Sequence, residues 1–328
     1  MLNKSSRRKF LQRSLSLAAG AAVAGSFEES NLMTHASQKY EKKVVTSASK
    51  PAFKYATLDD LKEKIPVSKI KDMQLSRVIL GGNLIGGWAH ARDLIYASKL
   101  VQAYHTKSKI WETMHLAEQC GVNTLLTNPK LCPVINEYWD KGYGKIQFIS
   151  DCGGDDILTG IKKSIDNGAT ACYLHGGIAD GLAKEGKWDL MAKALDLIKD
   201  SKLPAGIAGH TIDTIKGSVD HGLEPDFWMK TLHSHKYWSA QHPEEHDNVW
   251  CYDPEETIAY MRERKEPWIA FKTLAAGAIH PKKSFKWCYE KGADFLCVGM
   301  YDFQMVEDIN LANDILSGEI KRERPWRA

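Results

Sequence analysis

Five side chains able to move protons or bind cations recur at one kind of place along this 328-residue chain. Asp151, His175, His210, His233 and Lys272 each stand at or near the end of a short apolar run: "IQFISD", "ACYLHG", "AGIAGH", "FWMKTLH" and "WIAFKT". A carboxylate with imidazoles is a ligand set for divalent Zn, Mn or Co. Asp151, His175, His210 and His233 are therefore the candidate metal ligands. A metal there would polarise a carbonyl, bind an enediolate or lower the pKa of a water. Lys272 and His175 are the candidate catalytic groups, the lysine as clamp, base or Schiff-base amine. With Asp151 they also form a metal-free acid–base set. Asn83, Trp88, Asn128, His235 and Trp238 are the candidate substrate contacts, the aromatic ones suited to stacking on a sugar ring. His242 and His246, four apart, are a further possible ligand pair.

Side chains so far apart in sequence need rigid elements to bring them together. Eight strand-like runs punctuate the chain, at 78–83, 123–128, 146–151, 171–176, 205–210, 227–233, 268–273 and 294–300. They are short and apolar throughout, as in a parallel sheet covered on both faces. Amphipathic helical patterns separate them, among them "DDILTGIKKSIDNGA", "WDLMAKALDLIKD" and "DPEETIAYMRERK". Eight such units over this length predict an α/β fold, a (β/α)8 TIM barrel, with its chemistry at the carboxyl ends of the strands. No GxGxxG follows the first strand, against a doubly wound open sheet. Thr57 and Asp60 open a short helix as a capping box. Residues 88–106 read as a helical lid.

The formal charge of +3 is uneven. Lys4, Arg7, Arg8, Lys9 and Arg13 lie in an acid-free opening, and the rest is nearly neutral. A neutral body gives no reason to expect nucleic acid. Ser6-Arg7-Arg8-Lys9-Phe10-Leu11 and Ala22-Val23-Ala24 read as a twin-arginine signal peptide over 1–24, with a leader over 25–66 and the barrel over 67–328. The apolar run after the arginines is too short and too weak to span a membrane. The expected partners are the twin-arginine export machinery and a small-molecule substrate, possibly a sugar, and the expected location is the periplasm. Seven cysteines with no CxxC read as core residues rather than a disulfide framework.

Several segments resemble the aldo-keto reductases. They are "LSRVILGGNLIGGW", "AEQCGVNTLLTNP", "PAGIAGHTIDTIKGSVDHG", "FKTLAAGAI" and "GADFLCVGMYDFQMVEDINLANDIL", in order over 67–318. The resemblance implies a barrel, an NADP cofactor and a catalytic Asp, Tyr, Lys and His. The matching positions here hold Leu126, Leu131, Asp151 and His175. Only the histidine is kept, and the family's phenolic proton donor is gone. Glu307 and Asn310 match its pattern at the cofactor's far end. The expectation is an exported barrel acting as a metal-dependent lyase, isomerase or hydrolase on a carbohydrate or keto-sugar. A divergent NAD(P)-dependent oxidoreductase and a non-catalytic ligand-binding barrel are the alternatives.

Overall fold

The computed structural model describes residues 56–89, 94–154, 156–241 and 249–328. The twin-arginine run, Ala22–Ala24, most of the leader, His242 and His246 lie outside the described residues. Eight parallel strands close into a barrel: β3 (Val78–Gly81), β4 (Thr124–Thr127), β5 (Gln147–Ser150), β6 (Ala171–Leu174), β7 (Ala205–Gly209), β8 (Phe227–Thr231), β9 (Trp268–Phe271) and β10 (Phe295–Val298). They run in that order around the ring, and Cys297 beside Ile79 closes it. Each strand falls within a predicted run, trimmed at its ends. The trimmed residues at the carboxyl ends are the polar ones, where the chain leaves the sheet.

Period-2 alternation divides the apolar residues between two cores. Ile79, Ile149, Phe227, Met229, Ile269 and Phe295 fill the barrel interior. Their neighbours Val78, Leu80, Phe148, Trp228, Trp268 and Leu296 face the helices. The helices begin where the sequence supplies caps. Asp156 accepts from Leu158 and Thr159 amides to start Ile157–Asp166, and Asp253 before Pro254 starts Pro254–Arg262. No described helix is long and apolar enough to cross a membrane. The seven cysteines are free thiols, six of them buried.

Two features depart from the expectation. The capping box of Thr57 and Asp60 forms, but it opens only one 3-10 turn, Leu58–Asp60, because Leu61 is already extended. Residues 67–76 form an antiparallel hairpin, β1 (Val67–Ile70) with β2 (Met73–Ser76). Its Ile70, Met73 and Leu75 join the interior cluster and plug the amino-terminal end of the barrel. Among the described residues the opposite end stays open, and Ala97–Tyr104 forms a helix beside it.

Candidate active site

The open end leads into a cavity of about 830 Å3. Of the residues singled out from sequence, Asn83, Asp151, His175, His210 and Lys272 line it. They come from β3, β5, β6, β7 and β9, so one ring of strand ends gathers groups spread over 190 residues of chain.

Asp151 is almost fully buried. Its Oδ1 accepts from Gly153 N at 2.7 Å and Asn128 Nδ2 at 2.9 Å. Burial pushes its carboxyl up, against the pull of His175 and these two donors. The next residue, Cys152, has a φ of 51°, a left-handed turn that ends β5. His175 leads into the helix Gly176–Lys184. Burial lowers its pKa, while the Asp151 charge opposes the drop, and His210 and Lys272 add to it. The imidazole is therefore neutral at neutral pH, beside a carboxyl that holds a proton more tightly than usual.

His210 is fixed from several directions. Asp180 Oδ2 lies 2.8 Å from His210 Nδ1, and the same carboxylate takes the His210 backbone amide. Thr214 Oγ1 donates to Asp180 at 2.5 Å. Burial opposes the charge on Asp180, but these donors hold its carboxyl below the usual range. On the backbone side, Lys230 Nζ and Thr231 Oγ1 both donate to the His210 carbonyl, at 2.8 and 3.0 Å. With Nδ1 on Asp180, Nε2 is the nitrogen available to the cavity. Gly176 lets the ring come close: a Cβ there would stand 2.9 Å from His210 Cε1.

Lys272 lies at the end of β9 with a φ of 56°, and Ala275 and Ala276 are left-handed as well. Such clusters of uncommon backbone angles belong to sites where side chains must be aimed rather than packed. Its Nζ sits 3.8 Å from the centre of the Trp250 ring. Burial lowers the ammonium to about 8, although an aromatic face favours the cation. At neutral pH about a tenth of the lysine is then neutral.

The other sequence candidates stand elsewhere. His233 is wholly buried and its Nε2 accepts from the amides of Trp250 and Cys251, at 3.0 and 3.1 Å. Its lone pair is used, so it is no metal ligand. His235 donates from Nε2 to the Cys251 carbonyl at 2.7 Å. The two histidines staple the chain near 250 across the barrel rim and thereby place Trp250. Asn128 spends its amide on Asp151, Gly153 and Lys130, so it positions the carboxylate instead of meeting substrate. Trp88 packs on the outer core, and Trp238 is 66% exposed; neither lines the cavity. The four-ligand set is therefore not assembled. Among the described residues no three His, Cys, Asp or Glu side chains converge on a point that would hold a metal ion.

At the reductase positions, Leu126 lines the cavity and Leu131 is buried in the turn after β4. Asn310 spends its side chain on the amide of Lys62 and the carbonyl of Asp60, tying down the first turn of the described chain. Its side-chain amide is thereby committed to holding the chain rather than standing free for a cofactor's end. Asp180, Lys230, Trp250 and Tyr301 carry no spacing signal that marks them as site residues. Lys230 alternates with inward-facing Met229 inside an apolar strand, which reads as core.

No protein-family model matches the chain, and no curated protein does. Solved structures do. Two descriptions of an aldo-keto reductase of Pseudomonas aeruginosa, so assigned by inference, match at TM-score 0.54. One is 15% identical over 79% of this chain and 99% of its own, the other 14% over 78% and 99%. A phospho-2-dehydro-3-deoxyheptonate aldolase from Thermotoga maritima is more distant, at TM-score 0.48 and 13% identity over 77% and 74%. The aldo-keto-reductase likeness read in the sequence thus holds for the fold.

Proposed function

We propose that this barrel is an enzyme that moves protons next to a substrate carbonyl, a lyase or isomerase that works without a metal. The observation that carries the reading is the lysine lowered to about 8 at one side of a cavity shared with His175, His210 and Asp151. The Lys272 ammonium receives the carbonyl oxygen. Neutral His175 removes a proton from the adjacent carbon, the electron pair of that C–H bond becomes the new C=C bond, the C=O π pair moves onto oxygen, and the enolate oxyanion that forms is held by Lys272. Asp151 supports the imidazolium, and His175 returns that proton to the enolate carbon, while His210, oriented by Asp180, accepts a hydrogen bond from a substrate hydroxyl at the other side. Carbonyl compounds such as keto-sugars suit this end of the cavity.

The test is exchange of substrate protons for deuterium, followed by NMR with keto-sugars and 2-oxo acids. Wild-type protein should exchange the proton beside the carbonyl of at least one compound, and His175→Ala and Lys272→Met should lose that exchange. Exchange that survives both substitutions sinks the reading. The twin-arginine run at Arg7-Arg8 supports export of the folded enzyme. Fusing residues 1–24 to a reporter active only outside the cytoplasm, with Arg7→Lys/Arg8→Lys as control, tests that step.

A further inference from the structure

The cavity is two-sided. Its carboxylate, imidazole and ammonium groups all stand on β5, β6, β7 and β9: Asp151, His175, His210 and Lys272. The wall across from them, built from β10, β3 and the helix Ala97–Tyr104, carries no charged side chain among the described residues. Leu84, Val101, Tyr301 and Phe303 line it, together with the neutral amides of Asn83 and Gln304. Tyr301 and Phe303 lie parallel, centroids 5.1 Å apart and 8° between planes, and His105 stacks on Tyr301 at 5.3 Å. Tyr104 meets both rings edge-on and donates to Asp302 at 2.5 Å, while Lys109 pairs with the same carboxylate at 3.0 Å. The wall is thus held by ring packing and a buried ion pair behind it. A small hydroxylated compound needs nothing of this kind, and 830 Å3 leaves ample room beside it. Preformed pockets place a few polar groups for orientation and use apolar wall for affinity.

We propose that the substrate is amphipathic, with an apolar ring attached to its carbonyl-bearing end, and that Leu84, Val101, Tyr301 and Phe303 receive the ring. The identity of the carbonyl end rests on the function proposed above; the ring does not. Two probes separate the claims. Indole offers only a ring. Phenylpyruvate offers a ring, a carbonyl and a carboxylate, with pyruvate as its ringless counterpart. Binding is read by ligand-observed NMR and calorimetry on the full chain.

Indole should bind wild-type protein and be displaced by phenylpyruvate. Phenylpyruvate should bind at least tenfold tighter than pyruvate, since one buried ring contributes roughly that much. Val101→Trp fills the apolar side and should remove indole binding and the tenfold advantage together. Leu84→Asp, at a half-buried position, puts a charge there and should do the same, which guards against a Val101→Trp protein that fails to fold. Failure of indole to bind, or indole binding unchanged in both variants, overturns the inference. Indole binding lost in both variants, with phenylpyruvate binding indifferent to Lys272→Met, keeps the ring site and overturns the proposed function alone.

Discussion

Lys272 illustrates how a reactive group costs stability. Its ammonium titrates near 8 in the folded protein against 10.5 when free. Below pH 8 both states hold the proton, and the folded state carries the full desolvation penalty. Between pH 8 and 10.5 the unfolded chain binds more protons, so stability rises with pH across that window. Lys272→Met should therefore stabilise the protein at pH 7 by about 1–2 kcal/mol, less than the full shift because Trp250 already favours the cation. The gain should shrink as pH climbs from 8 to 10.5, which thermal melts at pH 7 and pH 10 would show. No gain at pH 7 would mean that the amine is better solvated than its place at the mouth implies. Asp180 acts one residue further back. In Asp180→Asn the His210 amide keeps an acceptor, but the ring loses the carboxylate that fixes its tautomer. Nitrogen NMR of His210 should show mixed tautomers, and exchange of substrate protons should slow at least tenfold while the melting temperature changes little.

At the scale of elements, the site depends on how strands end. β5 ends in left-handed Cys152 and β9 in left-handed Lys272, and each turn sets the direction of a titratable side chain. The helix after β6 begins at Gly176, whose missing side chain makes room for His210 from the next strand. Gly176→Ala should push the His210 ring off Asp180, because the added carbon has only 2.9 Å. The expected result is a loss of about 1–3 kcal/mol from overpacking, with a shifted His210 resonance. An unchanged spectrum would show that the ring can swing aside without losing its partner. The staple by His233 and His235 belongs to this scale too. Both side chains hold the returning chain near Cys251, so an alanine at either should disturb Trp250 fluorescence before it disturbs any chemistry.

Among the described residues, the barrel is closed at one end and open at the other. The β1–β2 hairpin plugs the amino-terminal end, and residues 322–328 lie across the same side. Arg324, wholly buried, donates to Asp294 Oδ2 at 2.6 Å and to the carbonyls of Gly292, Arg264 and Glu266. Asp294 also accepts from the amides of Trp268 and Arg327. The cation–π contacts of Arg77 and Arg322 with Trp326 complete the closure. Removing one side of a buried ion pair leaves the other uncompensated. Asp294→Ala should cost about 3–5 kcal/mol, visible as a fall of roughly 10 °C in melting temperature. Since the ion pair is far from the mouth, the affinity for indole below that temperature should not change. A melting temperature within 2–3 °C of wild type would show that the tail contributes little to barrel closure.

The barrel was legible in the chain because it is written locally. Short apolar runs in β3 to β10, amphipathic stretches between them and caps such as Asp156 and Asp253 repeat at close range, and each reports burial directly. The polarity of the strand ends was legible as well, and it brought Asp151, His175, His210 and Lys272 to one mouth. Their division of labour was not. His233 looks like a fourth member of that series, yet two residues beyond the end of β8 the chain has turned, and its lone pair meets backbone amides instead of the cavity. Asn128 looks like a substrate contact and is a brace for Asp151. Asp180, 30 residues before its histidine, and Tyr301 and Phe303, across the cavity from Asp151, His175, His210 and Lys272, enter the site only through closure of the ring. Sequence alone determined the elements, because burial periodicity is a property of neighbours along the chain. Tertiary structure decided which polar groups face the cavity, because hydrogen-bond partners and desolvation are properties of neighbours in space.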